Sequence, residues 1–153
     1  MIARVLVAVE DSATGLQTAA VAIDLAAVLG ASLLAVHVLG DGHVEAALRA
    51  GRSDRMHVVE DRGTAAAALL HHVAVLAQRA GVVVETRRLE GHAASCILEA
   101  AREWSAELVV IGRSERSSSG PHYVGAQTRH VLEFSDVPVL VVPLQDRTLY
   151  GSA

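Results

Sequence analysis

The sequence contains no lysine; all 13 of its basic residues are arginine. That absence removes any mechanism built on a lysine Schiff base or on the lysine of a phosphate-gripping P-loop. Cysteine is almost missing too: with Cys96 alone, neither an intramolecular disulfide nor a thiolate metal cluster is available. Aromatic residues make up only 3% of the chain, too few for a sandwich core rich in Tyr and Trp. No long basic run exists and the formal charge is −4, so no footprint for a nucleic-acid backbone is present and no nucleic-acid partner is expected. Every apolar run is broken by Gly, Ser, His or charge before ~18 residues, so no membrane span is expected. The opening MIARVLVAVEDS enters a strand pattern instead of a charged region and a signal-length apolar run, which leads to the expectation of a cytoplasmic protein.

What the chain does have is Ala, Val and Leu in quantity, with 52% hydrophobic residues over 153 positions, enough to bury one core without disulfides or metal. Val5 to Val9 is a short β-branched run closed by Glu10, Asp11 and Ser12, which supply cap chemistry for a helix starting near Ala13. Leu16, Ala20, Ile23 and Ala27 then recur at helical spacing, and Gly30 stands where a C-terminal cap belongs. Ser32 to Val38 reads as the second strand. From Leu39 to Arg62 the periodicity dissolves into Gly, His, Arg and Asp, as in a loop inserted before the next helix. A second helix is expected from roughly Thr64 to Ala80, a third strand over Val82 to Arg87, and a third helix after Gly91 with Ile97, Ala101 and Trp104 on one face. Leu108 to Ile111 is wholly apolar, as in the centre of a parallel sheet covered on both faces. A fourth helix over Ala126 to Phe134 and a last strand over Val137 to Val142 complete the pattern, Pro138 marking that strand as an edge.

Strand–helix alternation of this kind predicts an α/β domain: a single five-stranded parallel sheet with helices on both faces, Rossmann-like, over residues 1–143, followed by a tail over 144–153. With strand order 3-2-1-4-5 the switch point lies between the first and fourth strands, and ligands bind beyond their carboxyl ends. The crevice candidates are therefore Val9, Glu10 and Ser12 after the first strand, Val38 at the end of the second, Gly112, Arg113 and Glu115 after the fourth, and Gly125, Ala126 and Gln127 at the start of the fourth helix.

Several better-known site patterns fail here. Gly120 to Gly125 has P-loop glycine spacing, but Ala126 and Gln127 stand where Lys and Ser or Thr are required. Ser114 follows a strand as a hydrolase nucleophile would, but Arg116 occupies the second glycine position of G-x-S-x-G and no histidine follows Asp136. The eight histidines include no i, i+4 pair for a helical zinc site, and His71 and His72 are neighbours that point apart. No catalytic residue, metal site or cofactor is expected. His37, near the end of the second strand, reads as a satisfied rim histidine, Cys96 as a small buried hydrophobe, and Ser117, Ser118 and Ser119 as a flexible polar loop.

Four stretches, VLVAVEDS, VHV, LEGHAASCILEAAREWSAELVVIG and VPVLVVP, resemble the universal stress protein family over Val5 to Pro143. In ATP-binding members of that family the loop after the fourth strand reads Gly, two residues, Gly, nine residues, Gly, then Ser or Thr. Gly112 and Gly125 keep that spacing, Glu115 replaces the middle glycine, and Ala126 replaces the hydroxyl residue. Glu10 takes the place of the usual Asp near the base and ribose. The resemblance thus implies a regulatory protein, not an enzyme, acting through dimerisation and binding of an unidentified protein partner or small ligand, without tight ATP binding. ATP binding or slow hydrolysis through a modified loop is the alternative. The homodimer is expected to pair the Val137 to Val142 edges, where Val139-Leu140-Val141-Val142 carries no charge to guard an open strand.

Overall fold

A computed structural model of the chain describes residues 1–40, 55–113 and 124–143, with side chains from residue 62 onward in the middle segment. Its elements run β1 (Arg4–Ala8), α1 (Ala13–Leu29), β2 (Ser32–Leu39), α2 (Arg55–Arg79), β3 (Val84–Glu90), α3 (Ala93–Glu103), β4 (Leu108–Gly112), α4 (Ala126–Phe134) and β5 (Val139–Val142). The five strands are all parallel and lie in the order β3-β2-β1-β4-β5, the expected α/β architecture.

Side-chain alternation along the strands divides the core into two layers. Val5, Val7, Leu33, Ala35 and Val110 face one side, where they meet Ala19, Ala22, Ile23 and Ala26 of α1 and Leu69, Leu70, Val73 and Ala77 of α2. The intervening residues Leu6, Leu34, Val36, Val109 and Ile111 face the other, against Ala94, Ile97, Leu98 and Ala101 of α3, Trp104 and Val131 of α4. A period of two thus serves both faces, so the central strands are apolar at every position. The small side chains on α1 let that helix lie close to the sheet. Truncating a fully buried side chain such as Leu34 to Ala removes about 2–5 kcal/mol.

The termini of α1 follow the local rules. Ser12 Oγ accepts the Gly15 amide at 3.0 Å, and Gly30 closes the helix in the left-handed region at φ 64°. Two sequence expectations need correction. The loop expected over Leu39 to Arg62 is too long at both ends: Leu39 belongs to β2, its carbonyl accepting the Gly91 amide at 3.0 Å, and α2 begins at Arg55. The intervening residues, like the tail, lie outside the described ones. Gly63, inside α2, makes room for a neighbour: a Cβ there would stand 3.0 Å from Arg88 Nη1, so the missing side chain lets the β3 guanidinium lie across the helix. Second, β3 is displaced towards the carboxyl side of the expected Val82 to Arg87, because its ladder with β2 runs from Leu33 and Val84 to Leu39 and Glu90. Pairing overrides the low strand propensity of its charged residues. Smaller shifts extend β4 to Gly112 and start β5 at Val139, after Pro138, whose carbonyl still accepts the Val109 amide at 3.0 Å. Among the described residues no helix is long and apolar enough to cross a membrane.

Candidate functional site

Where β1 ends, the chain leaves the sheet in a tightly held turn. The Val9 amide donates to the Val36 carbonyl of β2 at 2.8 Å, and His37 Nδ1 stands 2.6 Å from the Val9 carbonyl. The Ser12 amide then donates to the Glu10 carbonyl at 2.9 Å while the Ser12 side chain caps α1. Glu10 is exposed and Ser12 half-buried. Gly15 permits this arrangement: a Cβ at that position would lie 1.8 Å from the Glu10 carbonyl oxygen, so the first turn of α1 and the β1 exit are in backbone contact. Val38, two residues from the point where Val9 bonds β2, is half-buried and packs towards the α3 side.

The exit of β4 is packed just as closely. A Cβ on Gly112 would stand 2.6 Å from Thr18 Oγ1 and 3.7 Å from the Thr14 methyl group, so α1 crosses over this glycine. Thr18 donates to the Thr14 carbonyl at 2.8 Å, and from the opposite side Thr128 of α4 donates to the Gly112 carbonyl at 3.0 Å. Thr14, Thr18 and Thr128 are all buried. The Arg113 amide continues to β5 by donating to the Val142 carbonyl at 2.9 Å.

Gly125 starts α4 with φ 93° and ψ 146°, a backbone conformation that favours glycine, and makes no side-chain cap. Its carbonyl takes the Arg129 amide at 3.0 Å, the first turn of the helix. The amides of Ala126, Gln127 and Thr128 belong to that first turn and have no partner inside the helix, which makes its start a place for an anion. Gln127 contributes elsewhere: its Oε1 accepts the Ala94 amide at 2.9 Å and so helps cap α3 together with His92.

The topology therefore gathers Val9, Glu10, Ser12, Val38, Gly112, Arg113, Gly125 and Ala126 at one end of the sheet, around the β1–β4 switch point. Gln127 is brought to the same end but its side chain is turned to α3, and Glu115 lies outside the described residues. Sequence reading missed Gly15, Thr14, Thr18, Thr128 and the bond made by His37. A glycine in the first turn of a helix and a Thr pair four residues apart were the available signals. Among the described residues no group of three or more His, Cys, Asp or Glu side chains could hold a metal ion. A hollow of about 460 Å³ lined by Ser95, Leu98, Glu99, Arg102, His130 and Phe134 lies on the α3–α4 seam.

One family model, that of the universal stress protein family, matches residues 1–143. The chain belongs to the universal stress protein family. Its structure is similar to that of a universal stress protein from Burkholderia pseudomallei, with 25% identity, a TM-score of 0.73, and coverage of 94% of this chain and 97% of that one. A universal stress protein solved in complex with cAMP is 22% identical at a TM-score of 0.68, covering 93% of this chain and 97% of that one. The universal stress protein from Archaeoglobus fulgidus solved in complex with dAMP is 23% identical at a TM-score of 0.63, covering 92% and 98%. No curated protein matches the chain. Gly112 forms the surface on which α1 rests.

Proposed function

We propose that this universal stress protein is a non-catalytic regulator that works as a homodimer and takes a small adenine-type ligand, a nucleoside monophosphate in preference to ATP, in the crevice between β1 and β4. The reading is carried by the start of α4, where Gly125 leaves the first-turn amides without a side-chain cap at the mouth of the switch-point crevice. One phosphate group matches one helix start. A triphosphate needs several close backbone donors along the preceding loop, and there Glu115 stands in the sequence where ATP-binding relatives have glycine. Complexes of relatives with cAMP and dAMP support the monophosphate class. Glu10, at the β1 end of the same crevice, is the candidate for the sugar hydroxyls.

The dimer reading draws on an asymmetry between the two sheet edges. β3 carries Glu85, Arg87, Arg88 and Glu90, whereas β5 reads Val-Leu-Val-Val and exposes Leu140. Charge guards one edge and nothing guards the other, so strand pairing between two copies is directed to β5. A protein partner would then read the ligand state of the dimer.

Calorimetry with AMP and ATP tests the ligand, and sedimentation tests the assembly. Expected are AMP binding tighter than ATP binding by at least tenfold and a dimer at micromolar concentration. Low-micromolar ATP binding that exceeds AMP binding would replace this reading with an ATP-binding protein whose modified loop still works. A monomer at micromolar concentration would remove the dimer.

A further inference from the structure

The contact between His37 and Val9 belongs to no helix cap or strand ladder. Val9 is the first residue after β1, and β2 holds both of its peptide groups: the amide through the Val36 carbonyl at 2.8 Å, and the carbonyl through His37 Nδ1 at 2.6 Å. A carbonyl oxygen only accepts, so Nδ1 carries the proton and donates. The neutral Nδ1–H tautomer and the imidazolium both donate through this atom.

From these contacts we infer that His37 is a positioning residue: its Nδ1–H clamps the Val9 carbonyl and holds in place the β1–α1 turn that walls the crevice. The turn is gripped from two sides. On the α1 side the grip is steric, since Gly15 presses against the Glu10 backbone, and it is reinforced by the Ser12 cap. On the β2 side the side chain of His37 extends the sheet by one hydrogen bond beyond the last paired residues, Ala8 and Val36. Glu10 follows Val9 directly, so freedom gained at the Val9 peptide passes into the backbone of Glu10 and Ser12. A half-buried histidine on a strand is usually explained by its own satisfaction. Here the acceptor is the peptide at which the crevice wall begins, and that gives the bond its consequence.

The consequence for ligand rests on the adenine-nucleotide reading above; the clamp itself does not. Asn, Gln and Leu at position 37 separate the roles. Asn places an amide N–H where Nδ1 stands, Gln carries its amide too far, and Leu has the bulk without a donor. In the ligand-free protein, amide exchange at Ser12 and Gly15 should quicken by about five- to tenfold in His37→Leu and His37→Gln and stay within about twofold of wild type in His37→Asn, the size expected of one hydrogen bond. AMP affinity should fall in the same order, with the Asn variant again near wild type. Equal exchange at Ser12 and Gly15 in the wild-type and Leu proteins overturns the clamp. Exchange that follows the donor while wild-type protein takes no AMP upholds the clamp and removes the nucleotide reading.

Discussion

Gly112 is the residue at which packing and ligand binding are easiest to confuse, and Gly112→Ala separates them. The added Cβ would stand 2.6 Å from Thr18 Oγ1, about 1 Å inside an ordinary van der Waals contact. Thr18 cannot swing away freely, since it is buried and its hydroxyl donates to the Thr14 carbonyl at 2.8 Å. Relief therefore requires either a changed Thr18 rotamer with that bond lost or a small shift of α1 off β4. Overpacking of this kind costs about 1–3 kcal/mol. For a chain of this size each kcal/mol lowers the unfolding midpoint by about 2–4 °C, so a fall of about 2–12 °C is expected by calorimetry or circular dichroism. The decisive measurement is the double-mutant cycle with Thr18→Ala, which removes the clashing oxygen. If the contact is the cause, Gly112→Ala should cost at least ~1 kcal/mol less in the Thr18→Ala background than in wild type. A Gly112→Ala protein that melts with wild type, or a cycle with no coupling, would refute the packing account and return Gly112 to the phosphate loop alone.

Three further outcomes are expected from the crevice, the β5 edge and the loop. Gly15→Ala, a change that would stabilise most helix interiors by up to ~1 kcal/mol, should instead destabilise by more than ~3 kcal/mol, because its Cβ would meet the Glu10 carbonyl oxygen at 1.8 Å and backbone yields less than a side chain; a midpoint within about 2 °C of wild type would contradict this. Leu140→Lys should shift sedimentation towards the monomer with little change in melting, since Leu140 is exposed whereas its neighbour Val141 packs on the core; an unchanged dimer would exclude the β5 edge as the interface. Glu115→Gly combined with Ala126→Ser should raise ATP affinity by between several-fold and about a thousandfold, the range spanned by like charges about 4 Å apart in water and at an effective dielectric of 20; calorimetry showing no gain would remove Glu115 from the explanation.

Period, capping and composition were sufficient for the strand–helix alternation. The cap Ser12, the stop Gly30 and the bounds Ala126–Phe134 of α4 follow from local patterns, because each such signal lies within a few residues of what it controls, whereas the parallel order β3-β2-β1-β4-β5 is what the family resemblance implies. That order located the ligand end of the sheet, since a switch point is a property of strand order alone. Only tertiary structure decided the rest. The first turns of α2 are hidden among Gly, His and Arg in the sequence, and the room left by Gly63 is taken up by Arg88 of β3. The limits of β3 depend on its ladder with β2, whose length no propensity in VETRRLE states. Gly112 reads in one dimension as half of a phosphate motif, and its contact with Thr18, 94 positions earlier, exists only when α1 crosses β4. His37 likewise reads as a rim histidine until β1 is laid beside β2 and the Val9 carbonyl comes within 2.6 Å. Backbone conformations and caps are short-range and so can be read from neighbours along the chain; a close approach between distant segments is a property of the packed core, and the sequence records it only as a glycine or a threonine with no visible reason.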